Sequence, residues 1–148
     1  MSSFKVFDIA GAGMSAESVR LNTVASNLAN ADSVSGDPSQ VYQAKHPVFQ
    51  TVQDTQSAQA LGAPGQAIEQ ASASVKVAGI VTNGTAPESR YDPGNPLANA
   101  DGYVYSSNVN VVEEMTDMIS ASRAYQNNVE VMNTARNLML DTLKLGQS

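Results

Sequence analysis

A chain of 148 residues is long enough for one domain, yet only 5% of it is aromatic and it has no Trp, so large core-forming side chains are scarce. Charged residues make up 15%, against about 25% in typical soluble domains, and Ala, Ser, Asn, Thr and Gln fill the difference; such surfaces suit contact with other protein more than open water. A net charge of −6 with scattered basic residues excludes a phosphate-neutralising surface for nucleic acid, and the absence of cysteine excludes disulfides and thiolate metal sites.

The opening MSSFKVFDIAGAGM has no apolar run of signal-peptide quality, and no segment approaches the roughly 20 apolar residues of a membrane span. Export, if it occurs, is therefore expected without a cleaved signal, and a cysteine-free chain suits passage into an oxidising compartment.

The spacing predicts a first helix from Phe4 to about Asn30, capped by Ser2 or Ser3. Phe7, Met14, Leu21 and Leu28 form a large apolar seam, and Phe4, Gly11, Ser18 and Ala25 a second that turns small and invites close helix approach. Gly11 and Gly13 each cost on the order of 1 kcal/mol relative to Ala in an isolated helix, so this segment needs packing partners. ADSVSGDPS, residues 31–39, ends it in a loop.

Short strands are expected at Val41–Ala44 and Val48–Val52, separated by a break at Pro47. His46, the only histidine, reads as an exposed loop residue without metal or acid–base partners. Residues 53–74 are low in complexity and read as a flexible excursion. Val75–Thr82 alternates as a strand before the Asn83-Gly84 turn signal, and RYDPGNPLANADG, residues 90–102, reads as an extended, rigid connector.

A long helix is predicted over Val111–Leu145, about 50 Å at 1.5 Å per residue. Asn110 followed by Glu113 resembles a capping box; Glu113, Glu114 and Asp117 suit the positive end, and Lys144 and Gly146 the other. Adjacent on the helix, Glu113 and Glu114 point roughly 100° apart and read as dipole partners rather than an acid–base pair. Met115, Met118, Tyr125, Val129, Met132, Met139 and Leu143 recur on one face, where Met suits irregular gaps. Ser120, Gln126, Asn127, Asn128, Asn133, Thr134 and Asn137 are expected on the outer face, with no acid four positions ahead of a base. Arg123 and Arg136 thus lack an acid in register, and at least one of them is expected to pair with an acidic group outside its own helix. A helix with that face needs packing from several directions. No Gly-rich phosphate loop, HxxxH pair or carboxylate pair with a partner base is present, so no catalytic, cofactor or metal site is expected.

LNTVASNLANADS, residues 21–33, resembles the N-terminal signature of bacterial flagellar rod and hook proteins, and DGYVYSSNVNVVEEMTDMISASRAYQNNVEVMNTARNLMLDTLKLGQ, residues 101–147, is similar to the C-terminal signature of rod proteins. With the connector and the short length, the likeness is to the proximal-rod branch, and it covers mainly the two ends. It implies a structural subunit of a hollow periplasmic rod that transmits torque from motor to hook. It also implies a chain delivered unfolded by the flagellar type III export apparatus, whose partners are copies of itself, other rod proteins and the proteins where ring meets rod. The signature residues are Ser26, Asn27, Leu28, Ala29 and Asn30, then Asn108, Val109, Asn110, Val112, Glu113, Glu114, Met115, Arg123, Ala124 and Tyr125.

The expected fold is mainly α: helical ends 1–34 and 108–148 pair as a coiled-coil-like axial domain, and residues 35–107 form a small irregular β-rich middle. The expected assembly interface comprises Phe7, Met14, Leu21, Ser26, Asn27, Leu28, Asn30, Glu113, Glu114, Met115, Met118, Arg123, Tyr125, Val129, Met132, Arg136 and Met139. A helical subunit or adaptor of another type III secretion-related assembly is the alternative left open.

Overall fold

The computed structural model describes residues 3–53 and 73–146. Two helices, α1 (Ser3–Ala29) and α2 (Val111–Leu145), enclose in sequence five strands: β1 (Val34–Ser35), β2 (Lys45–Gln53), β3 (Ala73–Thr82), β4 (Glu88–Tyr91) and β5 (Tyr103–Ser106). Both helices thus lie where apolar periodicity places them. Most of the 53–74 excursion falls outside the described residues, but Gln53, Ala73 and Ser74 extend the two strands that flank it.

The helices pack antiparallel. Asn27 meets Glu114, Arg20 meets Asp117 and Gly13 faces Asn128, so α2 advances as α1 is traced backwards. Asn110 caps α2: in an extended conformation (φ −91°, ψ 105°), its Oδ1 accepts from the amides of Val112 and Glu113. The other end stops at Gly146, which keeps right-handed geometry (φ −80°, ψ −7°) instead of the left-handed turn common there. At 35 residues against 27, α2 exceeds α1 by about 12 Å at 1.5 Å per residue.

The middle differs from expectation at three places. Val41–Ala44 is not a strand: the Ala44 amide donates to Asn108 Oδ1, and its carbonyl accepts from Asn83, so local side-chain and loop partners replace a ladder. Pro47 does not break β2, which pairs antiparallel with β3 through Pro47↔Ile80; in a two-stranded sheet each strand is an edge, where a missing N–H is tolerated. His46 accordingly lies within β2 and is half-buried. Both strands of this hairpin pack along α1.

Residues 90–102 are not an extended connector either, because they close β4 onto β5. The turn is held by side-chain caps: Asn95 Oδ1 accepts from the Leu97 amide, and Asn99 Oδ1 from the amides of Asp101 and Tyr103. Gly102 takes a positive φ of 81° that a side chain would strain, and the Tyr91 and Tyr103 rings meet edge-on with centroids 5.3 Å apart. β5 is the centre of a three-stranded sheet, β1-β5-β4, and carries the buried Val104.

The core is small. Its buried apolar residues are Ala10, Ala16, Val24, Val41, Ala44, Val104 and Ala121, and the largest fully buried side chains among the described residues are Val104 and Asn27. Leu, Ile, Phe and Met usually lead such a list.

Candidate assembly site

The two sequence signatures meet at a buried amide. Asn27, in the last turns of α1, has no exposed surface and fills its hydrogen-bonding capacity. Its Nδ2 donates to Glu114 Oε1 and to the Lys45 carbonyl, each at 2.8 Å, while Oδ1 accepts from the Tyr42 hydroxyl at 2.9 Å and the Lys45 amide at 3.0 Å. Having given its proton to Asn27, the Tyr42 hydroxyl accepts from Ser26 Oγ at 3.1 Å. One side chain thereby ties α1, the start of β2 and the first turns of α2 together.

Asn108 repeats the device one layer away. Its Oδ1 accepts from the Ala44 amide at 2.7 Å, and its Nδ2 donates to the carbonyls of Asn83 and Thr85. Asn30 closes the end of α1 by donating to the Ser26 carbonyl, and the Ser107 amide donates to the Ser33 carbonyl beside it. These polar residues satisfy backbone groups where chain segments that are distant in sequence converge.

Both Glu113 and Glu114 lie in the first turn of α2, as expected of dipole partners, but Glu114 is 2% exposed whereas Glu113 beside it is exposed. The 100° between neighbours turns Glu114 under the helix. Asn27 satisfies Oε1, whereas Oε2 is buried without a hydrogen-bond partner among the described residues. Desolvation raises the Glu114 carboxyl above its ordinary value, opposed by the Asn27 hydrogen bond and the charge of His46 and reinforced by Asp117 and Glu113. His46 therefore has a carboxylate neighbour that sequence reasoning missed.

Away from this junction α2 divides into two seams. The side turned to α1 carries Glu114, Asp117, Ala121 and Asn128, which are polar or small. Asn128 was expected on the outer face; instead it sits half-buried against Gly13, where a Cβ would lie 2.7 Å from its Nδ2. The predicted apolar stripe borders that side, and by helical spacing Met132 and Met139 fall within that side. Its Met118, Met132 and Met139 are half-buried, but Met115, Tyr125, Val129 and Leu143 are exposed, Met115 by 54%. Eleven large apolar residues of α2 are exposed, including Ile119, Leu138 and Leu140. On α1 the seam Phe7, Met14, Leu21 and Leu28 is half-buried throughout. A groove between Val6 and Val131, Ala135 and Leu138 continues the apolar surface at the far end.

The family described as "Flagella basal body rod protein" matches residues 7–36, and the one described as "Flagellar basal body rod FlgEFG protein C-terminal" matches residues 100–145. "Flagellar basal-body rod protein FlgC" of Salmonella typhimurium is 50% identical over 147 residues, covering 99% of this chain and 100% of its own. The protein of the same name from Yersinia enterocolitica is 51% identical, and that from the Acyrthosiphon pisum strain of Buchnera aphidicola 38%, both with the same coverage. The chain belongs to the FlgC family of flagellar basal-body rod proteins. As a member of that family it is a structural subunit of the rod.

In this FlgC-family chain, the two family matches coincide with the helical ends, and the Asn27–Glu114 contact joins one match to the other. Ser26, Asn27, Asn30 and Glu114 of the predicted residues come together at the junction. Met115, Tyr125 and Val129 do not join them; they lie along the outer row. Arg123 and Arg136 are also exposed and form no ion pair among the described residues. The residues missed were Tyr42, Lys45 and the Arg20–Asp117 pair (2.8 Å between Nη2 and Oδ1). A clue existed for the last: Ala10, Gly13, Glu17, Arg20, Val24 and Asn27 are spaced three and four apart, a heptad seam disguised by its charges.

Proposed function

We propose that this rod subunit polymerises through its two terminal helices, pairing in coiled-coil fashion and packing against sister subunits and other rod proteins, to build part of the hollow periplasmic shaft that carries torque from motor to hook. One observation carries the reading: Met115, Tyr125, Val129 and Leu143 of the apolar stripe of α2 are left exposed by their own chain, while Glu114, Asp117 and Asn128, which meet α1 directly, are polar. An apolar row of that length on a subunit of an assembly is a contact surface. Stiffness follows from burying it, because interlocked helices resist bending and twist better than helices touching along one seam. Arg123 and Arg136 pair with acidic groups of neighbouring subunits. The β-bearing middle adds lateral contacts, and proteins at the junction of rod and membrane ring join the partner set.

Delivery by the flagellar export apparatus, unfolded and without a cleaved signal, fits a chain whose core holds no buried Leu, Ile, Met or aromatic residue among those described, since little stability has to be undone before passage. No helix among the described residues is long and apolar enough to cross a membrane. The test is complementation of a strain lacking this subunit. Met115→Glu with Val129→Glu is expected to leave the isolated chain's helix content unchanged but abolish rod formation; rods of normal yield from that variant would overturn the reading.

A further inference from the structure

We propose that the junction of Asn27 and Glu114 is a proton-operated latch: with the Glu114 carboxyl neutral, the ends of α1 and α2 and the start of β2 are locked together, and with it ionised the same junction is loosened. The geometry carries this. Glu114 is buried at the convergence of the three elements, its Oε1 receives a single hydrogen bond from Asn27, and its Oε2 has no hydrogen-bond partner among the described residues. A buried carboxylate needs several donors to replace lost hydration, whereas a neutral carboxyl needs far less.

The charged surroundings favour the neutral form. Glu113 and Asp117 of the same helix repel an anion here, and the Arg20 guanidinium of α1 is engaged by Asp117 at 2.8 Å, with Glu17 3.8 Å away. From the β2 side, the charge of His46 acts on Glu114 in the opposite sense, favouring the anion. Lys45 contributes its backbone to Asn27, while its ammonium lies over the Tyr42 ring, 5.4 Å from the centroid. Tyr42 donates to Asn27 and not to the carboxyl.

The direction follows from linkage. A carboxyl titrating higher in the folded chain than in the unfolded one makes the folded chain bind more protons between the two values. Its stabilising contribution is complete below the ordinary value of 4.5 and is lost as pH rises through the raised folded value. Acidification therefore locks the junction, and a rise in pH through the raised folded value eases it.

The experiment compares the full-length wild type with Glu114→Gln by urea unfolding at several pH values from below 4.5 to 8. The ratio of the two unfolding constants is expected to change in the wild type's disfavour as pH rises, tenfold for each unit of displacement of the Glu114 midpoint. A ratio independent of pH overturns the proposal. Should the Gln variant fail to fold, the carboxyl carbon of Glu114 in ¹³C-labelled wild type supplies the answer directly. A midpoint above 4.5, accompanied by loss of amide-exchange protection at Val112–Asp117 through the same titration, supports the latch; a midpoint at or below it, or protection that does not change, refutes it.

Discussion

Asn27 concentrates more of the fold in one side chain than any other described residue, because all four of its hydrogen-bonding positions are used and none is replaceable by water. Asn27→Ala would orphan Glu114 Oε1, the Tyr42 hydroxyl proton and both backbone groups of Lys45, at about 1–3 kcal/mol for each group that finds no other partner. A large fall in the urea midpoint of the full-length chain is expected, and a change within error would show that the junction is not structural. Asn110→Ala is expected to be milder, about 1 kcal/mol, since the N-cap is exposed and water replaces part of what is lost. Amide exchange in the first turn of α2 reads that effect. The motif around Asn27 was visible in the sequence. Its partners were not: Tyr42 and Lys45 lie 15 and 18 positions on and Glu114 lies 87 on, and no local periodicity connects them.

The bounds of both helices were legible because 3.6-residue periodicity, the Asn110 cap and the absence of interior Pro all agree. Which face of α2 turns inward was not legible. Hydrophobicity pointed to the row of Met115, Tyr125 and Val129, but α1 takes the neighbouring row of Glu114, Ala121 and Asn128, since small and polar residues allow close approach and hydrogen bonding that bulky ones prevent. The short strands β1, β4 and β5 were hidden for a related reason: the side-chain caps of Asn95 and Asn99 fold what Pro and Gly content alone reads as an extended connector. The two helix glycines test the close approach. Gly11 has open space where a Cβ would go, so Gly11→Ala should stabilise by up to about 1 kcal/mol. Gly13→Ala gains the same propensity but drives into the Asn128 amide, so it should fall short of Gly11→Ala or destabilise. Adding Asn128→Ala should restore the difference; additivity in that double-mutant cycle would deny the contact.

Across the whole molecule, a chain of this length ordinarily hides its large apolar residues, yet here the largest fully buried side chains among the described residues are Val104 and an asparagine, while the longest helix displays apolar residues along its outer row. The proposed assembly supplies a reason for keeping such a surface: the subunit would finish its core with its neighbours. The polar junction joins the two helices in one antiparallel arrangement, and on that proposal it would present the outer row to each neighbour in a single register. The absence of cysteine permits a clean measurement, because one introduced thiol reports alone. With Val129→Cys in the otherwise unchanged chain, maleimide labelling is compared between the free protein and isolated basal bodies. Ready labelling of the free chain and strong protection in the basal body is the predicted result; equal labelling in both would contradict assembly through the outer row of α2.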